Sequence, residues 1–116
     1  MMSEFEALLL SSVIEAPVAW LIVRWRAWPC RGAGHAALAA TVATACTHPH
    51  LWAGVNALAP QIGYDPAVAI GEIAVVLVEA GIIGWAIALS PLRALWLSLA
   101  TNAASFGFGL FLAALV

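Results

Sequence analysis

The chain has 116 residues, of which 65% are hydrophobic and 9% charged, with a net charge of -2 and no lysine. Soluble domains carry about a quarter charged residues, so this chain is too poor in charge to cover a water-facing surface. It has no basic stripe of the kind nucleic acid requires. Its mean hydropathy is +1.03.

The expected fold is an all-α integral membrane protein, a four-transmembrane-helix bundle forming one domain over residues 1–116. About 20 apolar residues cross a bilayer as a helix. The first predicted span runs about Phe5 to Val23. It is preceded by Ser3-Glu4-Phe5-Glu6, an acidic capping box rather than the basic start of a signal peptide. Gly32 and Gly34 separate it from the second span, about Ala33 to Ala53. Asn56 to Asp65, with Pro60 and Gly63, reads as the only real loop. The third span is expected over about Pro66 to Leu89 and the fourth over about Pro91 to Val116. Asp65 and Ser90 each stand as a capping residue before a first-turn proline. A soluble bundle would need a polar face on each helix, and Ala67 to Leu89 has only Glu72 and Glu79 as charges.

Arg24, Arg26 and Arg31 fall between spans one and two, and Arg93 falls between spans three and four. The opposite side carries Glu4, Glu6 and Asp65. The positive-inside rule then places the Arg-bearing loops in the cytoplasm, and both termini and the 54–65 loop outside. Trp25, Trp28, Trp85 and Trp96 would mark the inner interface, and Trp52 and Tyr64 the outer one.

Spans one and three run in one direction, spans two and four in the other. Val13-Ile14-Glu15-Ala16-Pro17 is similar to Leu77-Val78-Glu79-Ala80-Gly81, and Thr44-Ala45-Cys46-Thr47 to Asn102-Ala103-Ala104-Ser105. Two tandem hairpins related by a pseudo-twofold axis normal to the membrane would explain both.

A carboxylate in hydrocarbon costs several kcal/mol or takes up a proton, so Glu15 and Glu79 need an explanation. Counted from the cytoplasmic ends, Glu15 lies roughly 12 Å deep, Glu79 roughly 15 Å and Asn102 roughly 16 Å. These depths are near the middle of a ~30 Å core. Thr44 and Ser105 lie on the polar stripes of spans two and four, beside Thr41, Ser98 and Gly109. Glu15, Glu79, Asn102, Ser105 and Thr44 are therefore the expected substrate- or ion-binding residues. Ser, Thr and Asn also serve simply to hold membrane helices together. Pro17 removes a backbone donor beside Glu15 and opens a place for a kink.

Cys46, His48, His50 and Glu72 carry the residue types of a zinc or copper site. In a regular helix, His48 points roughly 160° from the face shared by Cys46 and His50, so such a site needs an unwound helix end at Pro49. The same residues also read as a proton relay, His48, His50 and Glu72 forming an entrance toward Glu79. Cys30 and Cys46 stand roughly 20 Å apart along the chain direction, too far for a disulfide.

The expected function is a small transporter, or an ion- or proton-translocating protein, with a midplane carboxylate site. The plan resembles that of the small multidrug resistance transporters, which are about this long and have four helices with an essential glutamate in the first. The resemblance rests on Glu15. The second membrane glutamate, the His-Pro-His segment and the Arg bias depart from that pattern. Two alternatives are a non-catalytic subunit or assembly factor of a membrane complex, and a membrane metal-binding protein. No nucleophile–base pair or phosphate loop points to an enzyme. Beyond the lipid bilayer, the expected partner is a second copy or a larger membrane complex. Gly81 and Gly84, and Gly107 and Gly109, offer faces for close helix packing.

Overall fold

The computed structural model describes residues 3–115. They form four helices: α1 (Glu4–Arg26), α2 (Ala33–Ile62), α3 (Tyr64–Ile87) and α4 (Pro91–Leu115). The predicted end of the fourth span at Val116 lies outside the described residues. The helices pack in a ring, α1 on α2, α2 on α3, α3 on α4, and α4 back on α1.

Local chemistry sets most helix ends. The Ser3 hydroxyl accepts from the Glu6 amide, and the Glu6 carboxylate accepts from the Ser3 amide, closing the predicted capping box. Arg24 and Arg26 occupy the last turn of α1, where cations offset the helix dipole. α1 and α3 stop in the same way: Ala27 (φ 51) and Ala88 (φ 56) take left-handed backbone angles. The next amide in each, Trp28 or Leu89, reaches back to Val23 or Gly84. The two connections meet at one end of the bundle, where the Arg31 amide donates to the Ile87 carbonyl at 2.9 Å.

α2 departs from expectation. It continues through Pro49 and Pro60 to Ile62, nine residues past the predicted end at Ala53. The expected loop from Asn56 to Asp65 shrinks to a break at Gly63 (φ 93). Packing explains the extension. A Cβ on Gly71 of α3 would lie 2.5 Å from Leu51 Cδ1 and 3.4 Å from Val55 Cγ2, so α2 runs close against α3 there. That contact holds residues beyond Pro49 in register against the lost hydrogen bond and ring clash that an internal proline brings. Asp65 is also corrected from cap to first-turn residue, because α3 starts at Tyr64 behind Gly63 and has no side-chain cap.

The interior combines an apolar, alanine-rich core with a buried polar layer, and the exterior is large and apolar. Ala19, Ala36, Ala39, Ala40, Ala43, Ile83, Ile87 and Leu97 fill the core of the Arg-bearing half. Above them Glu15, Thr44, Thr47, Glu79, Ser98, Thr101 and Asn102 are buried. Beyond that layer α4 buries nothing; its last buried residue is Asn102. Outside, Trp25, Trp85, Phe5, Leu92 and Val13 are each at least two-thirds exposed. α1, α3 and α4 are long and apolar enough to cross a membrane. α2 is long enough, but its threonines, histidines, Asn56 and Gln61 make it less apolar than the sequence reading assumed.

A left-handed alanine costs about 1–2 kcal/mol that glycine avoids, partly offset by the freedom glycine has when unfolded. Ala88→Gly is therefore expected to stabilise the protein by about 0.5–1 kcal/mol, read as a higher Tm in detergent. A lower Tm would show that the Ala88 side chain contributes more than its backbone strain costs.

Candidate functional site

The buried polar layer is assembled from all four helices. α2 supplies two hydroxyls three residues apart, and side chains at that spacing are neighbours on one face. Thr44 Oγ1 donates to Glu15 Oε2 at 2.9 Å. Thr47 Oγ1 lies 2.8 Å from Glu79 Oε1. One α2 face thus holds a carboxyl from α1 and a carboxyl from α3, about one helical turn apart. From α4, Asn102 Nδ2 donates to Glu79 Oε2 at 2.8 Å.

The support around Glu79 is fully tied. Asn102 Nδ2 also donates to the Ser98 carbonyl at 2.8 Å. The Ser98 hydroxyl crosses to α3 and donates to the Val76 carbonyl at 2.7 Å. Thr101 donates to the Ser98 carbonyl at 3.0 Å. Thr47 has one hydroxyl proton and two good acceptors, Glu79 Oε1 and the Ala43 carbonyl at 3.0 Å. It can donate to an ionised Glu79, or turn to Ala43 and accept a proton from a neutral one.

Glu15 is held less completely. Its Oε2 has Thr44, while its Oε1 is buried without a partner. Both carboxyls are nearly sealed, at 1% and 2% exposure. Among the described residues neither has a basic partner. Glu15, Glu79, Asn102 and Thr44, expected from the sequence to share a layer, do come together.

Other candidates fall elsewhere. Ser105 is half-buried and donates to the Asn102 carbonyl in its own helix, away from both carboxyls. Cys46 and His50 are exposed. His48 stands in a crevice with Glu4, Phe5, Leu8 and Trp52, its ring edge-on to Trp52 at 6.5 Å. Glu72 lines a different opening, between α3 and α4. Because α2 stays helical through Pro49, His48 points away from the face that Cys46 and His50 share, and the three do not converge. Among the described residues no three of His, Cys, Asp and Glu gather as metal ligands, and His48 and His50 do not join Glu72 in one entrance.

Thr47, beyond the expected set, carries a full share of the site; its signal in the sequence is its place three residues from Thr44 on the same stripe. No known protein family, curated protein or solved structure matches the chain.

The two carboxyls predict different sensitivities. Thr44→Val removes the one hydrogen bond that Glu15 makes and leaves both of its buried oxygens unpartnered, for about 1–3 kcal/mol. Asn102→Ala strips Glu79 Oε2 of its donor, while Thr47 still serves Oε1 and Thr101 the Ser98 carbonyl, for about 1 kcal/mol. Thermal unfolding in detergent measures both, and a larger effect for Asn102→Ala would reverse the ranking.

Proposed function

We propose that this chain is a four-span integral membrane protein that binds and releases a proton or small cation at the Glu15–Glu79 layer, as a small transporter or ion-translocating protein. The observation that carries the reading is the pair of sealed carboxyls on neighbouring threonines of α2, with no basic side chain to neutralise them. A charge so placed is expensive, and such groups mark ion and proton pathways in membrane proteins.

The bilayer setting is supported by the many large apolar side chains on the exterior and by a polar layer held inside. α2 contains no Asp, Glu, Lys or Arg, and its Thr44 and Thr47 face inward, so it can serve as the fourth span. The arginines gather at one end, three of the four over tryptophans: Arg24 over Trp20 at 5.2 Å, Arg26 over Trp25 at 5.5 Å, Arg93 over Trp28 at 5.9 Å. Arg with Trp at one interface suits the cytoplasmic face, leaving both termini and Gly63 outside.

The tandem-hairpin reading gains support from bonding. Aligning Glu15 with Glu79 and Thr44 with Asn102 maps the Glu15–Thr44 bond onto the Glu79–Asn102 bond. Left-handed alanines also end both α1 and α3, though at different distances from the aligned glutamates. Two hairpins, each offering one carboxyl held by the following helix, would place two binding groups around one pseudo-twofold axis.

Infrared difference spectroscopy in nanodiscs, on wild type, Glu15→Gln and Glu79→Gln, tests the reading. The expected result is a carboxyl band that changes when pH or cation is varied and disappears in one variant or the other. Loss of ion uptake by proteoliposomes, with folding retained, should accompany it. If neither carboxyl responds between about pH 5 and 9, both serve helix packing. The chain is then better read as a structural subunit of a larger membrane complex.

A further inference from the structure

A group that cycles between charged and neutral forms inside a bilayer needs hydrogen-bond partners for both, because either form left unpaired is costly. The two sealed carboxyls of the polar layer differ in this respect, through the threonines that hold them. Thr44 donates to Glu15 Oε2 and, among the described residues, has no second acceptor. Glu15 Oε2 is therefore an acceptor, and a proton on Glu15 sits on Oε1, where no described residue receives it. Ionised, Glu15 would hold its charge on a single donor. Nothing beside it can rearrange to serve the other form.

Glu79 is served in both forms. Asn102 Nδ2 is fixed as a donor, because it also points at the Ser98 carbonyl, which can only accept, 2.8 Å away. Glu79 Oε2 is thus an acceptor in either form. Glu79 Oε1 faces Thr47, whose hydroxyl has a second acceptor in the Ala43 carbonyl at 3.0 Å. With Glu79 ionised, Thr47 donates to Oε1. A proton arriving from water bonds to Oε1; Thr47 then turns its own hydrogen to Ala43, and its oxygen accepts from the new O–H. One O–H bond forms, no covalent bond in the protein breaks, and no carboxyl oxygen loses its partner.

The same partners select the ligand. A metal cation gathers several oxygen lone pairs. Around Glu79 the layer presents hydrogens instead, the N–H of Asn102 and the O–H of Thr47. α2 and α4, the helices packed on α3, bring no charge to it. Cys46 and His50 are exposed, His48 opens toward α1, and Arg93 stands at the far end of α4. The remaining titratable groups of the layer's surroundings are Glu15 of α1 and Glu72, about two turns outward on α3 itself.

We propose that Glu79 is the exchanging group of the layer, that its ligand is a proton, and that Thr47 is the positioning residue whose turning hydroxyl admits it. Glu15 keeps a single protonation form. This rests on the layer being an ion- or proton-binding site, and narrows it to one residue and one ligand.

The test is infrared difference spectroscopy in nanodiscs, stepping pH at fixed salt and then sodium or potassium at fixed pH. Expected is one carboxyl band that follows pH, ignores both cations, survives Glu15→Gln and is lost in Glu79→Gln. Thr47→Val, which has no hydroxyl to turn, should move the midpoint of that band by on the order of one pH unit, and Thr47→Ser should restore it. Asn102→Ala should shift the frequency of the band without removing it, since it frees the carbonyl at Oε2; this variant carries the assignment if Thr47→Val does not fold. A band lost in Glu15→Gln and kept in Glu79→Gln, a band that follows sodium or potassium, a Thr47→Val midpoint equal to wild type, or a frequency indifferent to Asn102→Ala would each overturn the proposal while leaving the layer a binding site. Silence from both carboxyls would remove the binding site as well.

Discussion

A carboxyl group sealed among apolar helices must find its hydrogen bonds inside the bundle, and the placement of Glu79 follows from that need. Its two oxygens take Thr47 from α2 and Asn102 from α4, so one α3 side chain joins three helices. Those bonds fix the rotation of each helix about its own axis. With Thr47 turned inward, Thr44 is inward too, and Glu15 of α1 finds a donor at the same level. Buried polar groups specify register well because the alternative, an unpaired group, is costly.

The rest of the bundle is arranged on either side of this layer. Toward the Arg-bearing end, alanines of α2 and Gly84 of α3 let the helices close into a compact apolar core. Small residues allow such approach where there is little hydrophobic force to drive helices together in lipid. Toward the other end, α2 and α3 stay close around Gly71, while α4 buries none of its described residues past Asn102.

The two glutamates are similar in sequence and unequal in structure. Glu79 has a donor on each oxygen, and one of these is a hydroxyl that can turn to the Ala43 carbonyl. Glu15 has one donor and one bare oxygen. An incompletely satisfied buried group is the more sensitive to any cation, proton or water that reaches it.

The sequence by itself determined what is local or compositional. Hydropathy and charge set the four helices and the apolar exterior, Ser3 and Glu6 set the start of α1, and the depth of Glu15, Glu79 and Asn102 followed from counting residues. Counting works because a helix rises uniformly. Only the tertiary structure decided which stripes meet. It chose Thr47 over Ser105, because α2 rather than α4 presents the nearer hydroxyl to α1 and α3. It carried α2 past Pro49 and Pro60, because Leu51 and Val55 pack on Gly71 of another helix. That continuity turned His48 away from Cys46 and His50, while Glu72 lines a different opening between α3 and α4. Each of these outcomes depends on interhelical distance and rotation, which no single helix's residues encode.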